Sequence, residues 1–446
     1  MRQDSASGWR RGGLPPGWRR GGVAAAALGG ALCLLLAGCQ GSSPGAAPGG
    51  KGSPAIVGMR LSITPADGIR HANPGDGITV TASDGTITAV TADYAGGQAA
   101  GPADGPQDGA VTGMLNAART RWHSTWTLAT SARYTVTARG ISASGQAVTR
   151  TAAFRTLRPA RTFQTLIFEG YHKTYGVGMP IMLSFSQPIT DKAAVERSLQ
   201  LTTSKPVVGA WYWDGDQTLD FRPRGYWPAR TKVSFTGHLD GVEGAPGVYG
   251  THTLTQSFSI GRSLIVVAST ASHHMKLYRD GKLLDRWPIS TGRPGDNTPN
   301  GTYLTIDKGN PVLMKGPGYQ LEVPWSVRFT WTGDYLHDAY WSVGEQGYVN
   351  VSHGCVNMPP ADAEAYYKME LPGDPVTVTG SPRAGAWDNG WTEWFLSWRK
   401  YLKGSALHEA VLAGPSGSTF VSPSSLPAAN PAAPLAGPAQ GNWAAS

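Results

Sequence analysis

The chain has 446 residues, of which 40% are hydrophobic and only 15% charged, with 59 glycines, 33 prolines and three cysteines. That length allows two to four domains with ample apolar cores, and the glycine and proline load points to short strands and turns rather than long helices. Much of the formal charge of +8 sits at the start, where Arg2, Arg10, Arg11, Arg19 and Arg20 face only Asp4; the remainder is mildly basic, suits an anionic envelope, and lacks the dense Lys/Arg stripe interleaved with aromatics of a nucleic-acid binder.

The first element is an export signal. Arginines precede the apolar run Val23–Leu36, too short to remain as a spanning helix. It ends in Leu36-Ala37-Gly38-Cys39, which resembles a bacterial lipobox. The resemblance implies that residues 1–38 are a lipoprotein signal peptide, that Cys39 is acylated, and that the protein is anchored on the outer face of the cell membrane, facing the wall. Arg19-Arg20 leaves general and twin-arginine export both open. Residues 39–53 are a Gly/Ser/Pro/Ala tether.

Residues 54–157 read as short alternating strands. Ile78-Thr79-Val80-Thr81, Asp84-Gly85 and Thr86–Val90 form a hairpin-like pattern, and Tyr134–Thr137 alternates again. The region resembles an immunoglobulin-type sandwich, with Gly96–Gly113 as a loop. Residues 158–261 repeat that architecture. Pro180–Phe185 is strand-like, and Trp211-Tyr212-Trp213 leads through Asp214-Gly215-Asp216 to the strand Thr218–Phe221. These aromatics are expected in a core. Gly176–Pro180 opens no helix and so is a turn rather than a phosphate loop.

Residues 262–380 form the next unit. Leu264–Val267 is a strand, and Met275–Tyr278, Asp280-Gly281 and Lys282–Ile289 make a hairpin. A helix is expected from Ala361 to Glu370 and a strand at Pro375–Thr379. His273-His274 lacks ligand spacing with any third residue, so no metal or other cofactor is called for. Trp391, Trp394, Phe395, Trp398 and Leu402 fall at helical spacing, which predicts a helical extension over 381–412 docked on the preceding units. Residues 413–446 read as a disordered tail. The expected fold is mainly β: two immunoglobulin-like β-sandwich modules, a mostly-β domain, and a short helical extension.

The chemistry concentrates in Ser352-His353-Gly354-Cys355-Val356-Asn357, with His337 upstream. Cys33 lies in the leader and Cys39 just beyond it, leaving Cys355 alone in the folded body. A lone thiol near histidines, with nothing to pair with, reads as a nucleophile rather than half a disulfide; a buried structural cysteine is the bland alternative. A free thiol titrates near pH 8.5, and a neighbouring imidazolium lowers that value. His337 and His353 are the two candidates. Gly354, having no side chain, lets backbone N–H groups turn toward an oxyanion.

This window resembles the signature of the L,D-transpeptidases, the YkuD-type cell-wall enzymes: histidine, a spacer of about fifteen residues, then Ser/Thr-His-Gly-Cys-x-Asn. Thr298-Pro299-Asn300-Gly301 resembles their T-P-x-G turn, and paired sandwich modules ahead of the catalytic domain match the actinobacterial layout. The resemblance implies that His337 is the base of Cys355, oriented by the backbone carbonyl of Asp338, and that amides around Gly354 and Cys355 hold the oxyanion. Trp341, Tyr319 and Met314 would contact substrate, the last two from a lid over Lys308–Trp325, though both also suit packing. Ser352, His353 and Asn357 would shape the pocket; Ser352 equally suits capping a turn and Asn357 bracing one. Asp338 stands where serine or glycine is usual, and its carboxylate would raise the imidazole pKa; Tyr340 replaces a common proline. The implied activity is 3→3 cross-linking of peptidoglycan tetrapeptide stems through a cysteine thioester, with carbapenems as inhibitors. An L,D-carboxypeptidase and a non-catalytic wall-binding lipoprotein are the alternatives.

Overall fold

The computed structural model describes residues 58–96, 109–316 and 318–426. The signal peptide, the tether, Cys39, much of the loop expected at 96–113 and the last twenty residues lie outside them. The fold is mainly β, as expected.

In the first module the alternation seen in sequence becomes alternating burial: Arg60–Thr64 hides Leu61 and Ile63 and exposes its other residues. One sheet runs in the order Arg60–Thr64, Thr79–Ser83, Arg121–Ser124, Gly113–Leu115, and the other in the order Gly85–Ala95, Arg133–Ser142, Ala147–Arg155. Ile78, Val80, Ile87, Val136 and Phe154 fill the space between them. The expected 78–90 hairpin does not form. Thr79–Ser83 pairs with Arg60–Thr64, while Gly85–Ala95 pairs with Arg133–Ser142. Asp84, at φ 58°, turns the chain from one sheet to the other. Alternation reveals which face a strand buries, not which strand it pairs with.

The second module opposes a six-stranded sheet to a four-stranded one. Ile181–Phe185 is buried along its whole length, and Trp211, Phe221 and Phe235 are core as predicted. The edge of its larger sheet corrects the sequence reading. Ala410–Gly414 and Gly417–Val421 form a hairpin that extends this sheet, with Val207 opposite Ala413 and Gly209 opposite Val411. Residues 413–421 are therefore packed structure, and 381–412 are not one helix. Their Ala/Gly/Ser composition resembles a tail because their pairing partner lies some two hundred residues away in sequence.

The tryptophan-rich segment is helical only at Trp398–Lys403, with a 3-10 turn at Glu393–Phe395. Its aromatics point in several directions instead of lining one helical face. Trp394 meets Tyr226 at 4.4 Å and covers the Arg222 guanidinium at 4.4 Å, both in the second module. Phe395 meets Tyr303 at 5.0 Å in the domain that follows. Trp391 touches both sides, with Phe168 at 5.1 Å and Trp331 at 6.1 Å. The segment thus wedges the two units together.

In that third unit, the sheet Lys282–Pro288, His274–Arg279, Leu264–Ser269, Pro375–Thr379, Gly301–Leu304 lies over a second sheet holding Ser326–Arg328, Tyr335–Asp338 and Val356–Met358. Leu264, Val266, Tyr303, Leu336, Val356 and Tyr366 pack between them. The predicted hairpin forms, with Asp280 at φ 49° and Gly281 at φ 81°, the left-handed pair that a tight two-residue turn requires. The predicted helix spans Pro360–Met369.

Ending the chain before Ala410 should lower unfolding stability by about 3 kcal/mol, because the apolar burial of Val411 and Phe420 against the second module is lost. Denaturant unfolding of the truncated and full chains checks this; an unchanged midpoint contradicts it.

Candidate active site

Two short strands position the chemistry. Tyr335–Asp338 and Val356–Met358 run parallel, with Leu336 opposite Val356 and His337 opposite Asn357. Cys355 lies in the bend immediately before the second strand, two residues ahead of Asn357, which stands opposite His337. Cys355 is half-buried as a residue, and its thiol donates to the Gly333 carbonyl at 3.8 Å. His337 is 3% exposed.

The imidazole is held in one orientation. Nδ1 of His337 lies 2.7 Å from the Asp338 carbonyl oxygen. A carbonyl only accepts, so Nδ1 carries the proton and Nε2 is the basic nitrogen. This is the carbonyl contact that the resemblance implied. Burial pushes His337 down to about 4. Burial also pushes the Cys355 thiol up to about 12, with the Asp334 carboxylate adding to the rise and the Tyr335 N–H opposing it. The resting pair is therefore a neutral thiol and a neutral imidazole, not the ion pair expected from a histidine that lowers the thiol pKa. The Asp338 carboxylate does not raise the imidazole either. Its own pKa is raised by burial, and its Oδ1 has no hydrogen-bond partner among the described residues.

The loop before the thiol is braced from three directions. Ser352 Oγ donates to the Cys355 carbonyl at 2.6 Å and accepts from the Gly354 N–H at 3.2 Å. Thr298 Oγ1, from the T-P-x-G turn, donates to the Gly354 carbonyl at 2.7 Å and accepts from the Gly292 N–H at 3.0 Å. Gly354 has φ +132°, and a Cβ there would lie 2.5 Å from Asp334 Oδ1, so both conformation and space demand glycine.

These contacts revise several expectations. Ser352 braces the turn. Asn357 is buried and donates to Ser342 Oγ at 2.9 Å, bracing the 339–346 loop. The Gly354 amide is engaged by Ser352, so it does not stand open for an oxyanion. His353 is exposed, unlike His337. Trp341, by contrast, is 45% exposed and stacks on the His337 ring at 5.9 Å, while Tyr340 meets Trp341 edge-on at 5.0 Å. The two aromatics form an open wall beside the imidazole. Met314 is half-buried on the two-stranded hairpin Val312–Gly316 and Tyr319–Val323, within the segment expected to form a lid; the Tyr319 side chain lies outside what is described. His273 Nδ1 is 3.0 Å from Asn350 Oδ1 and His274 Nδ1 is 2.7 Å from the Ser272 carbonyl. Among the described residues no group of three or more His, Cys, Asp or Glu could hold a metal.

Asp334 escaped the sequence reading. It is buried, and Thr330 Oγ1 donates to its Oδ2 at 2.7 Å. Burial holds its carboxyl above the usual range. The Thr330-Trp331-Thr332-Gly333-Asp334 run carries a turn signal, but nothing local shows that the turn faces the thiol.

Residues 70–243 match the family described as bacterial Ig domain, and residues 263–378 match the L,D-transpeptidase catalytic domain. The chain is 32% identical over 360 residues to L,D-transpeptidase 5 of Mycobacterium tuberculosis, covering 78% of this chain and 77% of that one. It is 29% identical over 378 residues to L,D-transpeptidase 2 of the same organism, covering 79% and 90%. Among solved structures, an L,D-transpeptidase in complex with imipenem is 34% identical with a TM-score of 0.42, over 50% of this chain and 100% of that chain.

Protonating His337 would remove the basic Nε2 that the resemblance assigns to the thiol proton. Acylation of Cys355 should therefore hold steady at neutral pH and fall only as pH drops toward about 4; an acid limb near 6.5 contradicts the buried imidazole. Asp334→Asn removes a charge that raises the thiol pKa, so the pH profile of iodoacetamide alkylation should move to lower pH. No movement would show that the carboxylate does not act on the sulfur.

Proposed function

The chain belongs to the L,D-transpeptidase family, and from that membership we propose that it forms 3→3 cross-links between peptidoglycan stems through a thioester on Cys355. The observation that supports this most is the Nδ1 contact to the Asp338 carbonyl, on a strand paired in register with the strand that follows Cys355.

In the proposed reaction Nε2 of His337 takes the Cys355 proton as Sγ attacks the carbonyl of the third residue of a tetrapeptide stem. The tetrahedral oxyanion collapses, breaking the bond to D-alanine, whose amine leaves with the proton held by the imidazolium. The acyl group stays on sulfur. A side-chain amine of a second stem then attacks the thioester and gives up a proton through His337, and the new amide leaves as the free thiol returns. The neutral resting pair suits this order, because the proton moves only as the new bond forms and the imidazolium then exists when the leaving amine needs it. Trp341 and Tyr340 offer apolar surface for the stem beside the ring. A β-lactam carbonyl is an alternative acyl donor for the same sulfur, so carbapenems belong to the proposal as inhibitors.

The export signal and acylated Cys39 are part of the same reading: an enzyme tethered to the outer face of the membrane, working on the wall. Water in place of the acceptor amine would make the protein an L,D-carboxypeptidase. Intact His337, Gly354 and Cys355 favour an active enzyme over a wall-binding lipoprotein whose catalysis has lapsed.

Incubated with purified tetrapeptide stems, the protein should yield a cross-linked dimer and free D-alanine by mass spectrometry. Tripeptide alone would make it a carboxypeptidase, and unchanged stems would overturn catalysis. Cys355→Ala should abolish a covalent carbapenem adduct by intact mass, while His337→Ala should slow its formation on the order of 10²–10⁴-fold. An adduct persisting on the Cys355→Ala protein ends the nucleophile assignment.

A further inference from the structure

A large cleft lies away from the thiol. It opens at the joint between the two immunoglobulin-like modules and encloses about 1170 Å³, more than the few hundred to a thousand Å³ typical of a small-molecule site. Arg70, His71, Arg133, Arg155 and Arg158 line it, and no carboxylate does. The four arginines are exposed. Among the described residues none of their guanidinium groups has an ion-pair or hydrogen-bond partner. Asp67, close by in sequence, already accepts the Ala153 N–H at 2.7 Å.

The strand register sharpens the point. Arg133 and Arg155 are directly opposite each other in the antiparallel ladder, so their side chains leave the same face as neighbours. Like charges in that position destabilise a sheet, and no acidic neighbour offsets them. The walls are also fixed relative to each other. Thr127 Oγ1 donates to the Asp240 carbonyl at 2.7 Å, the Thr130 N–H donates to Asp240 Oδ1 at 3.2 Å, and Trp126 stacks on His238 at 3.8 Å. A ligand would therefore meet guanidinium groups carried on walls of fixed spacing, and their planar forks match phosphate or carboxylate oxygens two at a time.

We propose that this cleft binds an anionic glycan-like polymer, a hydroxylated chain bearing recurrent phosphate or carboxylate groups. Its volume suits several units of such a chain rather than one ion. The exposed Ser131 and Thr162 hydroxyls in its lining suit a chain that carries hydroxyls between its charges. The site lies on the modules that precede the catalytic domain, so it would hold the enzyme on wall polymer without touching the thiol chemistry, and it stands whether or not the proposed reaction is correct.

The test uses the full chain and three fluorescent probes at about 0.15 M salt, where weak surface attraction is screened: a glycerol-phosphate oligomer, polygalacturonate, and neutral dextran. Binding of either anionic probe but not dextran is expected, and the arm that binds identifies the group recognised. Arg133→Ser with Arg155→Ser should weaken that binding tenfold or more. The same pair should leave carbapenem acylation of Cys355 unchanged and the thermal midpoint equal or higher, since a like-charge contact is gone. Arg70→Ser with Arg158→Ser provides a second pair should the first fold poorly. Arg60→Ser with Arg150→Ser, away from the cleft, should have little effect. Failure of both anionic probes to bind at millimolar charge concentration overturns the proposal, as does equal weakening by the control pair.

Discussion

The carbonyl oxygen of Asp338 decides which nitrogen of His337 carries its proton. That single main-chain contact leaves a buried histidine with one basic nitrogen, Nε2, in a defined direction. The ring is tied to the backbone of its own strand, and the parallel register ties that strand to the one that follows Cys355. The orientation therefore depends on the ladder rather than on a flexible carboxylate partner. Asp338 is tolerated where a small residue is usual because only its carbonyl takes part, while its side chain is left with a burial-raised pKa.

Burial shapes the rest of the site's character. Enclosure disfavours both the imidazolium and the thiolate, and the nearby Asp334 carboxyl disfavours the thiolate further. The sulfur thus rests protonated on the Gly333 carbonyl, protected from indiscriminate reaction. Around it, Ser352, Thr298 and Gly354 leave the loop little freedom, and Asn357 fixes the adjoining 339–346 segment through Ser342. The exposed part of the site is aromatic, with Trp341 and Tyr340 beside the ring. Most residues of the motif support the geometry, and few are left to meet a substrate directly.

The last described stretch of the chain joins two of its units. After the catalytic domain it returns to the second module, placing Trp391, Trp394 and Phe395 between the two and then adding two strands to the module's sheet. Arg222, fully enclosed, is sandwiched between Trp394 and Tyr401 there. The second module and the catalytic domain are joined through this packing as well as through their covalent link. Much of the architecture was legible beforehand. Alternating runs announced the sandwiches, Asp280-Gly281 announced its hairpin, and the Cys355 window announced the site. What remained hidden was non-local: the strand partner of Val411, the sheet switch at Asp84, the turn that carries Asp334 to the sulfur. The roles of Ser352 and Asn357 were open in sequence because a polar side chain in a motif can face substrate or backbone equally well, and only the fold chooses.

The account's centre is a neutral His337 whose proton sits on Nδ1, beside a neutral thiol. Nitrogen-15 chemical shifts of the selectively labelled imidazole measure this directly. The structure predicts a single Nδ1–H tautomer from neutral pH down to about 4. An Nε2–H tautomer, or an imidazolium at pH 7 that disappears in Cys355→Ala, would contradict it.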